Sequence, residues 1–148
     1  MSERHYEGGC QCGAVRYEVD VDIEVAISCN CSRCKPMGFV LAFTARDKLK
    51  ILSGEDDLTE YLFNKGEIRH QFCTTCGVES FAYGVMPDGS ELAAVNVNCL
   101  KGVDARTLDP RHVDGAGMCP PPDRRRLISI TFADSAGATE GASCVERR

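Results

Sequence analysis

Apolar and polar side chains alternate with a period of two along much of this chain, the signature of half-buried strands. Ala14-Val15-Arg16-Tyr17-Glu18-Val19 alternates and reads as a strand. Glu24 to Ser28 reads as a second, and Gly38 to Phe43 as an apolar, buried third. Lys48 to Leu52 alternates again. Leu58 to Asn64 and Ile68 to Phe72 flank Lys65-Gly66 and predict a hairpin. Ser80 to Val85 and Leu92 to Asn98 are further strands, separated by the turn residues Met86-Pro87-Asp88-Gly89-Ser90. No segment sustains a helical period. Short helical turns are expected only near Ser32 to Pro36 and Asp104 to Leu108. The pattern predicts an all-β (mainly β) domain folded sheet on sheet.

The end of the chain changes character. Pro120-Pro121-Pro122-Asp123 precedes Arg124-Arg125-Arg126, Leu127 to Phe132 alternates once more, and Ala133 to Arg148 is rich in small and polar residues. Residues 1–118 read as one domain, and 119–148 as a Pro/Arg-rich extension with a flexible tail.

A length of 148 residues suits one domain with a core of its own. The net charge of −5 argues against a nucleic-acid partner, which needs a basic footprint. No apolar stretch is long enough to span a bilayer. The polar start Met1-Ser2-Glu3-Arg4-His5 is unlike a secretory signal, so a cytoplasmic location is expected. Nothing in the composition speaks against a homo-oligomer.

The chain carries 10 cysteines, and their spacing carries the chemistry. In a reducing compartment thiols bind metal or react rather than pair. Cys10-Gln11-Cys12-Gly13 and Cys73-Thr74-Thr75-Cys76-Gly77 are two close pairs, each followed by glycine. One turn can aim two thiolates at one ion, and glycine admits the positive φ that follows the second sulfur. Cys10, Cys12, Cys73 and Cys76 are therefore the expected ligands of a structural zinc. Disulfides are the competing reading.

Cys29, Cys31 and Cys34 form a separate cluster with no obvious fourth ligand. Three protein ligands and an open position suit a zinc that does chemistry. Closure of the site by Cys99, or three reduced thiols without metal, are the alternatives. Cys119 and Cys144 stand alone.

These motifs resemble a known family. Gly8 to Tyr17, Cys29 to Cys34, Phe72 to Gly77, Pro87-Asp88-Gly89 and Val95 to Leu100 are similar, in order, to the motifs of the glutathione-dependent formaldehyde-activating enzymes. That family shares its domain with centromere protein V. Gln11 stands where the family usually has histidine. The resemblance covers roughly residues 5–115 and implies an Mss4-like β-tent of antiparallel sheets. It implies two zinc ions: a structural one on Cys10, Cys12, Cys73 and Cys76, and a labile or catalytic one on Cys29, Cys31 and Cys34. The implied activity is that of a carbon–sulfur lyase or synthase. Glutathione and formaldehyde, a small-molecule thiol and aldehyde, would join as S-hydroxymethylglutathione.

Glutathione has two carboxylates, so Arg33 and Lys35 beside the cluster are candidates to bind it; ordinary surface charge is their simpler reading. Asn96 and Asn98 are candidate polar contacts or water-facing strand residues. His70 is a candidate base or ligand, with a structural role more usual for a lone histidine. A zinc-stabilised binding module and a thiol or metal sensor are the alternatives to an enzyme.

Overall fold

The computed structural model describes residues 2–62 and 64–118, with the backbone of 130–131. Among these the regular structure is mainly strand, arranged as two sheets. The smaller has three strands in the order β1 (Arg4–Gly9), β2 (Arg16–Val21) and β5 (Leu49–Ser53). The larger has eight strands. At one end lie β10 (Arg111–Val113), β3 (Ile27–Cys29) and β4 (Val40–Ala45). The middle is β9 (Glu91–Asn96), β8 (Glu79–Val85) and β7 (Ile68–Cys73). The far end is β6 (Leu58–Tyr61) and β11 (Ile130–Thr131). Every pairing is antiparallel except β10 with β3.

Alternation sets which face each strand buries. On β2, Tyr17, Val19 and Val21 are fully buried, whereas Arg16 and Asp20 face water. On β9, Ala93 and Val95 point to the same core. Tyr17 meets Phe81 of β8 edge to face, with ring centroids 5.2 Å apart, which joins the two sheets.

Eight of the expected runs became strands, with ends shifted by a few residues; the third, expected to be buried, alternates instead, with Ala42 buried and Phe43 exposed. The expected hairpin forms, with Leu58 opposite Cys73 and Tyr61 opposite His70. Two strands had no sequence signal. Arg4–Gly9 does not alternate; it is an edge strand, written in the pairing of Arg4 with Val21 through Gly9 with Arg16. Arg111–Val113 is too short to show a period, and it is held by Ile27–Cys29 alongside it. Both expected helical turns form, as α1 (Cys34–Met37) and a 3-10 turn at Ala105–Thr107, and two unexpected 3-10 turns, Arg46–Lys48 and Glu55–Asp57, flank β5. A further 3-10 turn, Val97–Cys99, cuts short the strand expected to run to Asn98, so that Asn96 caps it by accepting from the Asn98 backbone N–H. Of the strand expected over 127–132, Ile130–Thr131 pairs with β6. The remainder of that run, and the tail expected from 133 onward, lie outside the described residues. No helix among the described residues is long and apolar enough to cross a membrane.

Candidate metal centres and the adjoining pocket

The first cysteine group joins the two sheets. Cys10 and Cys12 lie in the turn between β1 and β2, Cys73 ends β7, and Cys76 lies in the turn before β8. Both turns close on backbone hydrogen bonds, Cys10 N–H to Val15 O at 3.0 Å and Cys73 N–H to Val78 O at 3.0 Å. Gly13 and Gly77, one residue past the second sulfur in each, have φ of +82° and +75°, the conformation the sequence required. All four Sγ atoms lie within 4.8 Å of one another. The Cys10–Cys12 and Cys12–Cys73 sulfurs are 3.6 and 3.7 Å apart. Four sulfurs around zinc at ~2.3 Å stand ~3.8 Å apart on a tetrahedron's edges, so this group fits the ion.

Crowded sulfurs do not share protons evenly. Backbone contact with Ala14 favours the Cys12 thiolate, but the neighbouring sulfur of Cys10, burial, and then Cys73 and Cys76 push its thiol up to about 12. Burial raises the Cys76 thiol, yet backbone hydrogen bonds at Cys12 and Val78, helped by the sulfurs of Cys73 and Cys12, outweigh it and hold it down to about 6. A cation relieves this competition by stabilising every sulfur as thiolate.

The second group sits at one end of the larger sheet. Cys29 ends β3, Cys31 follows in the loop, and Cys34 opens α1, their sulfurs again within 4.8 Å of one another. The loop turns its backbone toward the sulfurs. Cys31 N–H donates to Cys29 Sγ and Cys34 N–H to Cys31 Sγ, both at 3.4 Å. Burial, first of all, pushes the Cys34 thiol up, and hydrogen bonds from Cys34 and Arg33 outweigh burial at Cys31 and hold it down. The group has the donor set for a thiophilic ion, and among the described residues no fourth ligand atom joins it. Cys99 belongs to neither group; its thiol faces the Glu79 carbonyl, and burial pushes it up to about 11. Cys119 and Cys144 lie outside the described residues.

Two residues without a sequence signal hold this loop. Asn30 Nδ2 donates to Asp114 Oδ1 at 2.9 Å, and Asn30 Oδ1 accepts from Ala116 N–H at 3.0 Å. This clasps the loop to the segment after β10. Glu79, at the start of β8 and 3% exposed, anchors it to the main sheet. Its Oε2 accepts from both Nε and Nη2 of Arg33, and its Oε1 lies 2.6 Å from His70 Nδ1. The Arg33 guanidinium also lies over the Tyr61 ring, 4.8 Å from its centroid. A charged residue opening an apolar strand is ordinary in sequence; only the approach of Arg33 and His70 marks Glu79 out.

The other expected contacts fall in different places. Arg33 is half-buried and tied to Glu79, which corrects its reading as an ordinary surface charge. Lys35 is exposed on α1. Asn96 is buried, donating from Nδ2 to the Glu79 carbonyl at 3.0 Å, and Asn98 is exposed and donates to Gly38 O at 3.4 Å. His70 is buried and lies on the wall of a cavity of about 180 Å³ that also takes in Cys29, Cys31, Cys34, Arg33 and Glu79. Hydrocarbon from Ile27, Leu41, Phe43, Ala82 and Ala94 makes up much of the rest of its wall.

The all-β scaffold gathers one thiol quartet and one thiol trio, the trio beside a cavity, and each group could hold a thiophilic metal ion. The chain belongs to the glutathione-dependent formaldehyde-activating enzyme family, whose model matches residues 5–113. The crystal structure of a Rhodobacter sphaeroides protein, a structural-genomics target, is also similar. It is 32% identical, with a TM-score of 0.65, and the match covers 72% of this chain and 99% of that one.

Proposed function

We propose that this chain is a zinc-dependent carbon–sulfur lyase or synthase that joins a thiol, glutathione, to a small aldehyde, formaldehyde. The observation that carries the reading is the open trio of Cys29, Cys31 and Cys34 on a cavity wall in a chain of this family. The reaction needs no oxidant. The thiol sulfur bonds to the carbonyl carbon, the carbon–oxygen π bond breaks, and the thiol proton ends on oxygen. Zinc held by the trio would supply a Lewis acid that favours the thiolate or polarises the carbonyl. The residues around it set the stage. Arg33, fixed by Glu79, holds the cysteine loop against the sheet. The apolar side chains of the cavity wall lower the polarity around the reacting atoms. Lys35 and Asn98, exposed near the end of α1, would receive the carboxylate and amide ends of glutathione, with Asn96 bracing Asn98 through Oδ1 at 3.2 Å.

In this reading the quartet of Cys10, Cys12, Cys73 and Cys76 holds a second, structural zinc. The architecture corresponds to the Mss4-like β-tent, with residues 1–118 as the working domain and 119–148 as an extension. The test is Cys31→Ser. Zinc per chain should fall by one ion, carbon–sulfur product formation from glutathione and formaldehyde should be lost, and the unfolding transition should stay cooperative. Full activity with one zinc fewer would overturn the mechanism.

A further inference from the structure

The cavity beside the cysteine trio is larger and greasier than formaldehyde requires. Its floor is one cross-strand row, read through the registers of four strands. Phe43 on β4 lies opposite Ala94 on β9, Ala94 opposite Ala82 on β8, and Ala82 opposite His70 on β7. Side chains on one face of neighbouring strands pack side by side. Here two alanines stand between a phenylalanine and a histidine, so the row is hollow in the middle. Ile27 and Leu41, themselves paired across β3 and β4, extend the apolar wall toward the trio. The only lysine or arginine on the described walls is Arg33, and Glu79 pairs with it. Such a cavity offers no unpaired lysine or arginine to either carboxylate of glutathione. It offers hydrocarbon around a single polar corner, made by Arg33, Glu79 and His70. The Arg33 guanidinium carries more donors than the two that Glu79 engages.

That combination matches a molecule with one oxygen on a compact hydrocarbon body. We propose that the pocket over Ala82 and Ala94 binds the apolar substituent of an aldehyde of about four to seven carbons, straight-chain or aromatic, with its oxygen toward the Arg33 corner. The chain's preferred carbonyl substrate is then a hydrophobic aldehyde rather than formaldehyde alone. This rests on the carbon–sulfur reading above. The balance is that of formaldehyde: sulfur bonds to the carbonyl carbon, the π bond opens, and the thiol proton moves to oxygen. The product is a hemithioacetal, an S-(1-hydroxyalkyl) thioether of glutathione. A substituent that fits loses water along its length, and each buried methylene tightens binding about fourfold.

Primary alcohols mimic the product hydroxyl and do not react, so they probe the pocket apart from catalysis. The zinc-loaded full chain is titrated with ethanol through 1-hexanol and with benzyl alcohol, and binding is followed by NMR of the backbone amides. Affinity should rise about fourfold per methylene, with the largest shifts at Ala82 and Ala94. Ala94→Leu, which fills the hollow, should flatten that rise. Affinity independent of chain length in the wild-type chain would overturn the proposal, whether or not Ala94→Leu folds. So would an undiminished rise in a folded Ala94→Leu chain. A rise seen with alkanethiols but not with alcohols would assign the pocket to the thiol and refute the aldehyde. Product formation from glutathione with hexanal and with formaldehyde is measured alongside. A chain-length rise without any turnover upholds the pocket and overturns the enzymatic reading. Turnover of formaldehyde with flat alcohol affinity does the reverse.

Discussion

Replacing Glu79 with alanine would expose how much the second cysteine site depends on a residue far from it in sequence. The Glu79 side chain is 3% exposed and bridges two others, the Arg33 guanidinium and the His70 imidazole. The Arg33 side chain is itself only 22% exposed. Glu79→Ala therefore leaves a largely buried cation facing a void. Breaking a buried ion pair from one side costs ~3–5 kcal/mol, because the remaining charge loses its partner without regaining its water. Arg33 keeps the face of Tyr61 at 4.8 Å and part of its own solvent, so the loss belongs at the low end, about 3 kcal/mol. For a domain of this size that lowers the melting temperature by about 10 °C. Urea unfolding of the zinc-loaded wild type, Glu79→Ala, Arg33→Met and the double variant gives the numbers. Once Glu79 is gone, Arg33→Met should cost little or even stabilise, since the orphaned charge goes with it. Arg33 lies between Cys31 and Cys34, so cobalt bound at the trio should also be lost to a chelator faster in Glu79→Ala. A stability loss below about 1 kcal/mol, with additive single and double variants, would refute the anchoring role.

Other outcomes follow from the same geometry. Cys73→Ser removes a fully buried sulfur from the quartet that links the sheets, so one metal ion and the cooperative unfolding transition should both be lost; retention of both would show that the quartet is not structural. Gly115 is buried beside the trio, and a Cβ there would stand 2.5 Å from Cys29 Sγ. Gly115→Ala should therefore weaken cobalt binding at the trio while leaving the quartet's absorption bands unchanged. Acid should release metal, because thiolate ligands must be protonated to leave. In the metal-free chain the Cys76 thiol is held at about 6, below its ordinary 9.0. Its contribution to stability is therefore present above the ordinary value and lost as pH falls through about 6. Zinc content and melting temperature that stay flat from about pH 8 to about pH 5 would contradict this ligand set.

The strands, the two thiol groups and the glycines behind the paired cysteines were legible in the residues alone. Each rests on a local relation: a period of two, a spacing that fits one turn, a backbone angle open to glycine. Val15, Tyr17 and Val19 announce a buried face within a few positions of one another, and Cys73 and Cys76 announce a knuckle. What the sequence could not place is what long-range register creates. Arg4–Gly9 becomes a strand only because β2 lies beside it. Glu79 becomes an anchor only because Arg33 arrives from 46 residues away and His70 from 9. The hollow over Ala82 and Ala94 exists because four strands align two small side chains between two large ones. Spacing within one segment reports which atoms a turn can bring together. Contacts between segments follow from the pairing of strands, which only the folded sheets decide.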